Sequence, residues 1–211
     1  MKHFRSAILL TLAFAVRTQA APLYEQNFTA VEGEAVPEDI MVLDGQFAVK
    51  GAGAERCLEL PGAPLESFGV LFGPASKEGR EASARVFATK TGRKFPTFAV
   101  GLNGVNGYKV RVSPAKNALE LIVGDATEVK ASVPFQWKSG EWTQLKVRVV
   151  ASGTGVKVFG KAWQGGEEPK EWALSHEAAE VPPPGRAGVW GMPFSGTPLR
   201  FDDLTVSEAK L

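Results

Sequence analysis

Cysteine and histidine are nearly missing from this 211-residue chain: one Cys and two His. A single Cys57 cannot close an internal disulfide, and Cys/His zinc spacing cannot be assembled. His3 falls in the N-terminal leader described below, so a Ser-His-Asp or Cys-His site would have to use His176 as its base. His176 stands in Leu174-Ser175-His176-Glu177, a polar stretch that reads as an exposed loop. Cys57 alternates with leucines in Arg56-Cys57-Leu58-Glu59-Leu60 and reads as a half-buried strand thiol. Charge of one sign is missing too. The net charge is +1, without the basic excess that nucleic-acid binding uses, so no nucleic acid is expected as a partner. Long apolar runs are confined to the N-terminus, so no membrane span is expected.

That N-terminus is a basic start (Met1 to Arg5), an uncharged run from Ser6 to Val16, and small residues at Thr18-Gln19-Ala20-Ala21. The order is that of a secretory signal cleaved near Ala20. Its removal takes three basic residues and no acid, turning the net charge from +1 to −2. The expected organisation is therefore a signal peptide over 1–20 and one domain over 21–211. The expected destination is outside the cell, the periplasm or the cell envelope.

Helical periodicity is also scarce. Glu177-Ala178-Ala179-Glu180 could form one turn, ended by Val181 and the three prolines 182–184, which lack amide hydrogens and cannot sit inside a sheet. What the sequence does have is a rhythm of about fifteen short β-prone runs, cut every eight to twelve residues by Gly, Asn, Asp and Pro. This predicts an all-β fold, an antiparallel two-sheet sandwich. Asp44-Gly45 predicts a hairpin between Ile40–Leu43 and Gln46–Val49, because Asp-Gly accepts the positive φ of a two-residue turn. Hairpins are also predicted around residues 103–107, at Gly124-Asp125 (flanked by Leu119–Val123 and Thr127–Val133), and at Gly153-Thr154-Gly155. Alternation assigns faces. Leu145, Val147 and Val149 share one side of their strand, and Lys146 and Arg148 the other. Val156, Val158, Gly160 and Ala162 oppose Lys157, Phe159, Lys161 and Trp163 in the same way.

From Trp142-Thr143-Gln144-Leu145-Lys146-Val147 onward a familiar order appears. Lys161 to Trp172 carries Glu168-Pro169-Lys170-Glu171-Trp172. Then come Gly185-Arg186-Ala187-Gly188-Val189-Trp190 and Phe201-Asp202-Asp203-Leu204-Thr205-Val206. The pattern resembles the concanavalin A-like lectin/glucanase superfamily, and within it the LamG-like jelly rolls near the 3-keto-disaccharide hydrolase type of secreted bacterial domain. The resemblance implies a jelly roll whose first and last strands, Tyr24–Phe28 and Leu199–Val206, lie side by side. It also implies a concave face where active members bind glycans. It does not fix an activity, because one fold hosts many functions.

Candidate residues follow. The E-x-D-x-x-E string of laminarinase-type relatives is missing, and Glu167, Glu168 and Glu171 surround a Gly-Gly turn, so no catalytic residue is assigned. Trp142 and Trp190 read as core. Trp163, on the face of Lys157, Phe159 and Lys161, could be a platform for a sugar ring, with Trp172 opposite it across the hairpin. The competing role for that pair is to pin the hairpin. Arg85, Lys109, Arg111, Lys146, Arg148, Lys157 and Lys161 would form one basic stripe if their strands were neighbours. The competing reading is a solvated face balanced by Glu120, Asp125 and Glu128. The carbohydrate-binding set is thus Trp163, Trp172, Lys161, Arg148 and Arg111. No cofactor is expected, with one exception: Asp202 and Asp203 are the candidates for a structural calcium, although adjacent strand residues face opposite ways. Three functions remain open: a non-catalytic module that binds a poly- or oligosaccharide or a partner, a glycoside hydrolase of the 3-keto-disaccharide or glucanase type, and a structural envelope protein.

Overall fold

The computed structural model describes residues 21–62, 66–124 and 128–211; the leader, Asp125 and Thr127 lie outside them. Two antiparallel sheets face each other. One runs β13 (Leu174–Ala178), β12 (Gly155–Gln164), β11 (Trp142–Ser152), β6 (Arg80–Phe87), β15 (Leu199–Glu208), β4 (Cys57–Leu60), β3 (Ala48–Lys50). Its eighth strand, β1 (Tyr24–Gln26), pairs with the C-terminal half of β15, Tyr24 opposite Val206. The expected pairing of first and last strands is therefore present. The other sheet runs β10 (Val129–Pro134), β9 (Ala118–Val123), β8 (Tyr108–Ser113), β7 (Thr97–Leu102), β14 (Gly185–Met192), β5 (Phe68–Ser76), β2 (Met41–Asp44). Helix among the described residues is confined to two single 3-10 turns, η1 (Gly53–Glu55) and η2 (Pro114–Lys116).

Every second side chain builds the interior. Leu145, Val147, Val156, Val158, Ala82, Ala84, Phe201 and Leu204 from the eight-stranded sheet meet Val110, Val112, Leu121, Val100 and Val189 from the seven-stranded one, in one buried cluster. At about 25 cal/mol per Å² of apolar surface, this is the dominant favourable term. It has to suffice without a disulfide, since Cys57 is free and buried. The packing is tight where β12 crosses β8: a Cβ on Gly160 would collide with Val110. Gly160→Val is therefore expected to cost about 1–3 kcal/mol by overpacking, read as a lower urea midpoint with an unchanged slope.

Three of the predicted hairpins form: β7–β8, β9–β10 and β11–β12, the last closing at Ser152 opposite Gly155. The fourth does not. β2 pairs with β5 in one sheet and β3 with β4 in the other. Asp44-Gly45 instead carries the chain from sheet to sheet, with Gly45 at φ +102° and its amide donating to Asp44 Oδ1. Two smaller expectations also change. Residues 177–178 end strand β13 rather than forming a helical turn, and His176 is a half-buried residue of that edge strand, opposite Val158, rather than part of a loop.

Candidate functional site

The basic stripe is divided between the sheets. Arg85, Lys146, Arg148, Lys157 and Lys161 project from the outer face of the eight-stranded sheet. Lys109 and Arg111 lie on β8 in the opposite layer. The five residues proposed for carbohydrate binding therefore do not converge: Arg111 is separated from Trp163, Trp172, Lys161 and Arg148 by the whole sandwich. Alternation along a strand assigns a face; it says nothing about which sheet the strand joins.

On the eight-stranded sheet, Trp172 does not sit opposite Trp163. It lies outside β13, 5.6 Å from the ring of Phe159, with Lys161 Nζ 4.6 Å and Arg148 4.8 Å from its own ring. Lys161 is buried and reaches Pro169 O at 2.6 Å and Glu168 at 2.7 Å. Lys146 holds Glu168 at 2.8 Å and Glu81 at 3.3 Å. Burial pushes the Glu168 carboxyl up, but hydrogen bonds from Lys146 and Lys161 outweigh it and leave the acid below its usual range. In this geometry Trp172 and Lys161 fasten the segment between β12 and β13 onto the sheet. Trp163 is half-buried beside Gln144 of β11.

Asp202 and Asp203 share a face, contrary to the strand rule. A bulge between Asp202 and Thr205, with Asp203 at φ +48°, rotates the second carboxylate onto the same partner. Arg85 NH2 is 2.5 Å from Asp202 and its Nε 3.0 Å from Asp203. The pair thus grips a guanidinium, and no cluster of three or more His, Cys, Asp or Glu suited to a metal occurs among the described residues. Burial pushes the Asp202 carboxyl above its ordinary value despite Arg85. A folded-state value above the unfolded one means that ionising Asp202 costs stability as pH rises through the ordinary aspartate range. Asp202→Asn is therefore expected to change stability at pH 7 by less than about 1 kcal/mol, Asp203 keeping Arg85 paired; chemical denaturation would measure it.

The outer face of the seven-stranded sheet is different, because its outward side chains are buried. Lys109, Ser113, Glu120 and Trp190 are each 3–6% exposed. Trp190 was expected in the core; it is buried, but with Leu71 and Ala99 in a separate cluster on the outer side. Its indole lies flat on three neighbouring strands because each offers a glycine. A Cβ on Gly69, Gly101 or Gly188 would come within 2.6, 2.8 or 2.7 Å of the ring. Lys109 Nζ lies 4.4 Å over the same ring, a cation–π contact. Beside it stands Glu120 of β9. Arg111 Nε and NH2 donate to Glu120 Oε2 at 3.0 and 2.8 Å, Ser113 Oγ donates to the same oxygen at 2.5 Å, and Lys116 Nζ donates to Oε1 at 2.9 Å. The short η2 turn between β8 and β9 brings Lys116 there. Burial raises the Glu120 carboxyl, but Ser113, Lys116 and Arg111 together hold it below its usual range. Along Trp190, Lys109 and Arg111 runs a groove of about 160 Å³, lined also by Ile122, Thr97 and Met192, while Glu120 reaches it only through Arg111.

Of this groove, the sequence singles out Arg111 and Lys109, but for a stripe shared with Arg148 and Lys161, while Trp190 reads as core and Glu120 as a solvated acid. The usable signal was the inward set Ala187 and Val189, which sends Gly188 and Trp190 outward.

Neither protein-family models nor curated proteins gave a match to the chain. Solved structures did. The chain is similar to the carbohydrate-binding module CBM66 from Bacillus subtilis, with a TM-score of 0.58 and 13% identity over 81% of this chain and 96% of that one. It is similar to the Emp46p carbohydrate recognition domain in its metal-free form, with a TM-score of 0.58 and 10% identity over 89% and 97%. It is also similar to a xylan beta-1,4-xylosidase from Bacillus halodurans, with a TM-score of 0.59 and 15% identity over 95% of this chain and 41% of that longer one. Identities this low establish architecture and nothing finer. With its first and last strands paired and two antiparallel sheets of eight and seven strands, the chain shares the two-sheet β-sandwich fold of these structures.

Proposed function

We propose that the protein is an exported glycan-binding module whose saccharide lies in the groove of the seven-stranded sheet. In this reading residues 1–20 are a cleaved signal peptide and 21–211 the working unit. The observation that carries the proposal is Trp190, held flat on a glycine floor with Lys109 across its ring and Arg111–Glu120 alongside. A sugar ring offers an apolar C–H side and a rim of hydroxyls. The part of the indole that lines the groove, with Ile122 and Met192, takes the apolar side, and the bordering Lys109 and Arg111 donate to the hydroxyls. The similarity to a carbohydrate-binding module and a carbohydrate recognition domain supports the same reading.

Binding is favoured over glycosidic cleavage by the state of Glu120. A glycosidase needs two carboxyl groups flanking the bond, one of them able to donate a proton. Glu120 accepts four hydrogen bonds from three cationic or hydroxyl side chains, which suits an ionised acceptor and not a general acid. Among the described residues, none lining the groove is a carboxylate.

Affinity electrophoresis through laminarin, xylan and polygalacturonate gels tests the proposal. Retardation in at least one gel is expected. Lys109→Met and Trp190→Phe should each weaken it about tenfold, or ~1.4 kcal/mol. Trp163→Ala and Trp172→Ala should leave it unchanged. No retardation in any gel would overturn the proposal. Loss of retardation only with the Trp163 or Trp172 variants would move the site to the other sheet.

A further inference from the structure

The outer face of the eight-stranded sheet holds a second and larger depression, of about 400 Å³, at the end away from Trp172. It lies across five neighbouring strands in the order β11, β6, β15, β4, β3, and its rim is the η1 turn. One wall is aromatic. Trp142 and Phe87 are direct cross-strand partners with ring centroids 5.6 Å apart. Two guanidiniums lie against that wall: Arg85 4.4 Å over Trp142, and Arg200 5.9 Å from Phe87. Each is held by carboxylates, Arg85 by Asp202 and Asp203, and Arg200 by Glu59 at 2.9 Å. Lys50 closes the opposite side, and Cys57 lies on the floor.

We infer that this depression is a second saccharide site, for a neutral sugar unit, which lets one copy of the protein hold two glycan segments on opposite faces of the sandwich. The charge pattern selects the ligand class. An anion would have to displace Asp202, Asp203 and Glu59 from the arginines and Glu34 from Lys50, and a cation would find one lining acid, Glu55, against Arg85, Arg200 and Lys50. A neutral polyol does neither, and each ion pair still has free lone pairs or N–H groups for hydroxyls. The aromatic wall takes the C–H side of the ring. The bulge at Asp202–Thr205 is the local irregularity that fixes Arg85, one of the lining residues. It places Asp203, in a left-handed conformation that a non-glycine residue adopts at a cost, where its carboxylate faces Arg85 together with Asp202. Bulges of this kind serve to re-aim side chains beside sites.

Cys57 supplies a built-in reporter, since it is the chain's sole cysteine and lines the depression. Burial pushes its thiol up to about 11, so labelling with a small methanethiosulfonate at pH 9 will be slow and easily followed. Neutral xylo- or laminari-oligosaccharides at ten times their dissociation constant are expected to slow labelling about tenfold. The same titration should shift the ¹⁹F resonance of 5-fluorotryptophan at position 142. Both effects should persist in Lys109→Met, which impairs only the groove of the other sheet, and vanish in Arg200→Ala and Phe87→Ala. Four outcomes would overturn the inference: neither signal responding to neutral oligosaccharides, a response to oligogalacturonate alone, a response lost with Lys109→Met, or a response that survives Arg200→Ala and Phe87→Ala.

Discussion

Glu120→Gln is expected to lower the stability of the protein at pH 7 by about 3 kcal/mol. Glu120 is 4% exposed at its side chain, against 23% for Arg111 and 61% for Lys116. Removing one member of a buried ion pair costs about 3–5 kcal/mol, because the remaining charge is left without compensation. Here Arg111 retains some contact with water, which places the cost at the low end. The pH dependence gives a second check with a definite sign. A carboxyl held below its ordinary value in the folded state adds stability that is complete above the unfolded glutamate value of about 4.3 and is lost as pH falls through the folded value. The gap between wild type and Glu120→Gln in urea denaturation should therefore be widest at neutral pH and close progressively below about pH 4. A gap independent of pH would mean that the loss comes from packing rather than charge.

Phe201→Ala is the other large effect, at about 3–5 kcal/mol. Phe201 is fully buried, 6.2 Å from Phe47 by ring centroids, and under Gly191 of the facing sheet. Its neighbour on β15, Arg200, is exposed and paired with Glu59. Arg200→Ala should cost less than about 1 kcal/mol, as exposed ion pairs do. Two adjacent residues of one strand thus differ several-fold in cost for one reason: the period of two places one between the sheets and the other outside. Equal costs would contradict the two-layer arrangement.

The same period explains what could be read in the sequence. The interior of β11 and β12 was legible in Leu145, Val147, Val149, Val156 and Val158, because alternation is local. The β7–β8, β9–β10 and β11–β12 hairpins were legible because the runs flanking each turn signal stay in one sheet and pair with each other. Asp44-Gly45 looked the same in sequence, yet its arms join different sheets. Turn chemistry sets the reversal, and the partners of β2 and β3 are chosen by strands β5 and β4 farther along the chain. Arg111 and Arg148 occupy similar Lys-Val-Arg-Val settings but end in opposite layers, for the same reason. Trp190 was the hardest. Its platform is built from glycines at 69, 101 and 188 on three strands, and only the folded register brings them together. Asp202 and Asp203, expected on opposite faces, share one because a bulge breaks the alternation.

The glycan-binding account turns on which tryptophan meets the sugar: Trp142 and Trp163 lie on the eight-stranded sheet, Trp190 on the seven-stranded one, and Trp137 and Trp172 in connections. Protein labelled uniformly with 5-fluorotryptophan gives five ¹⁹F resonances, assignable by single Trp→Phe replacements, that can be followed while laminarin or xylan oligosaccharides are added. The account predicts that the Trp190 resonance moves saturably and the Trp163 and Trp172 resonances stay in place. Movement of Trp163 or Trp172 with Trp190 unmoved, or no movement at any of the five, would contradict it.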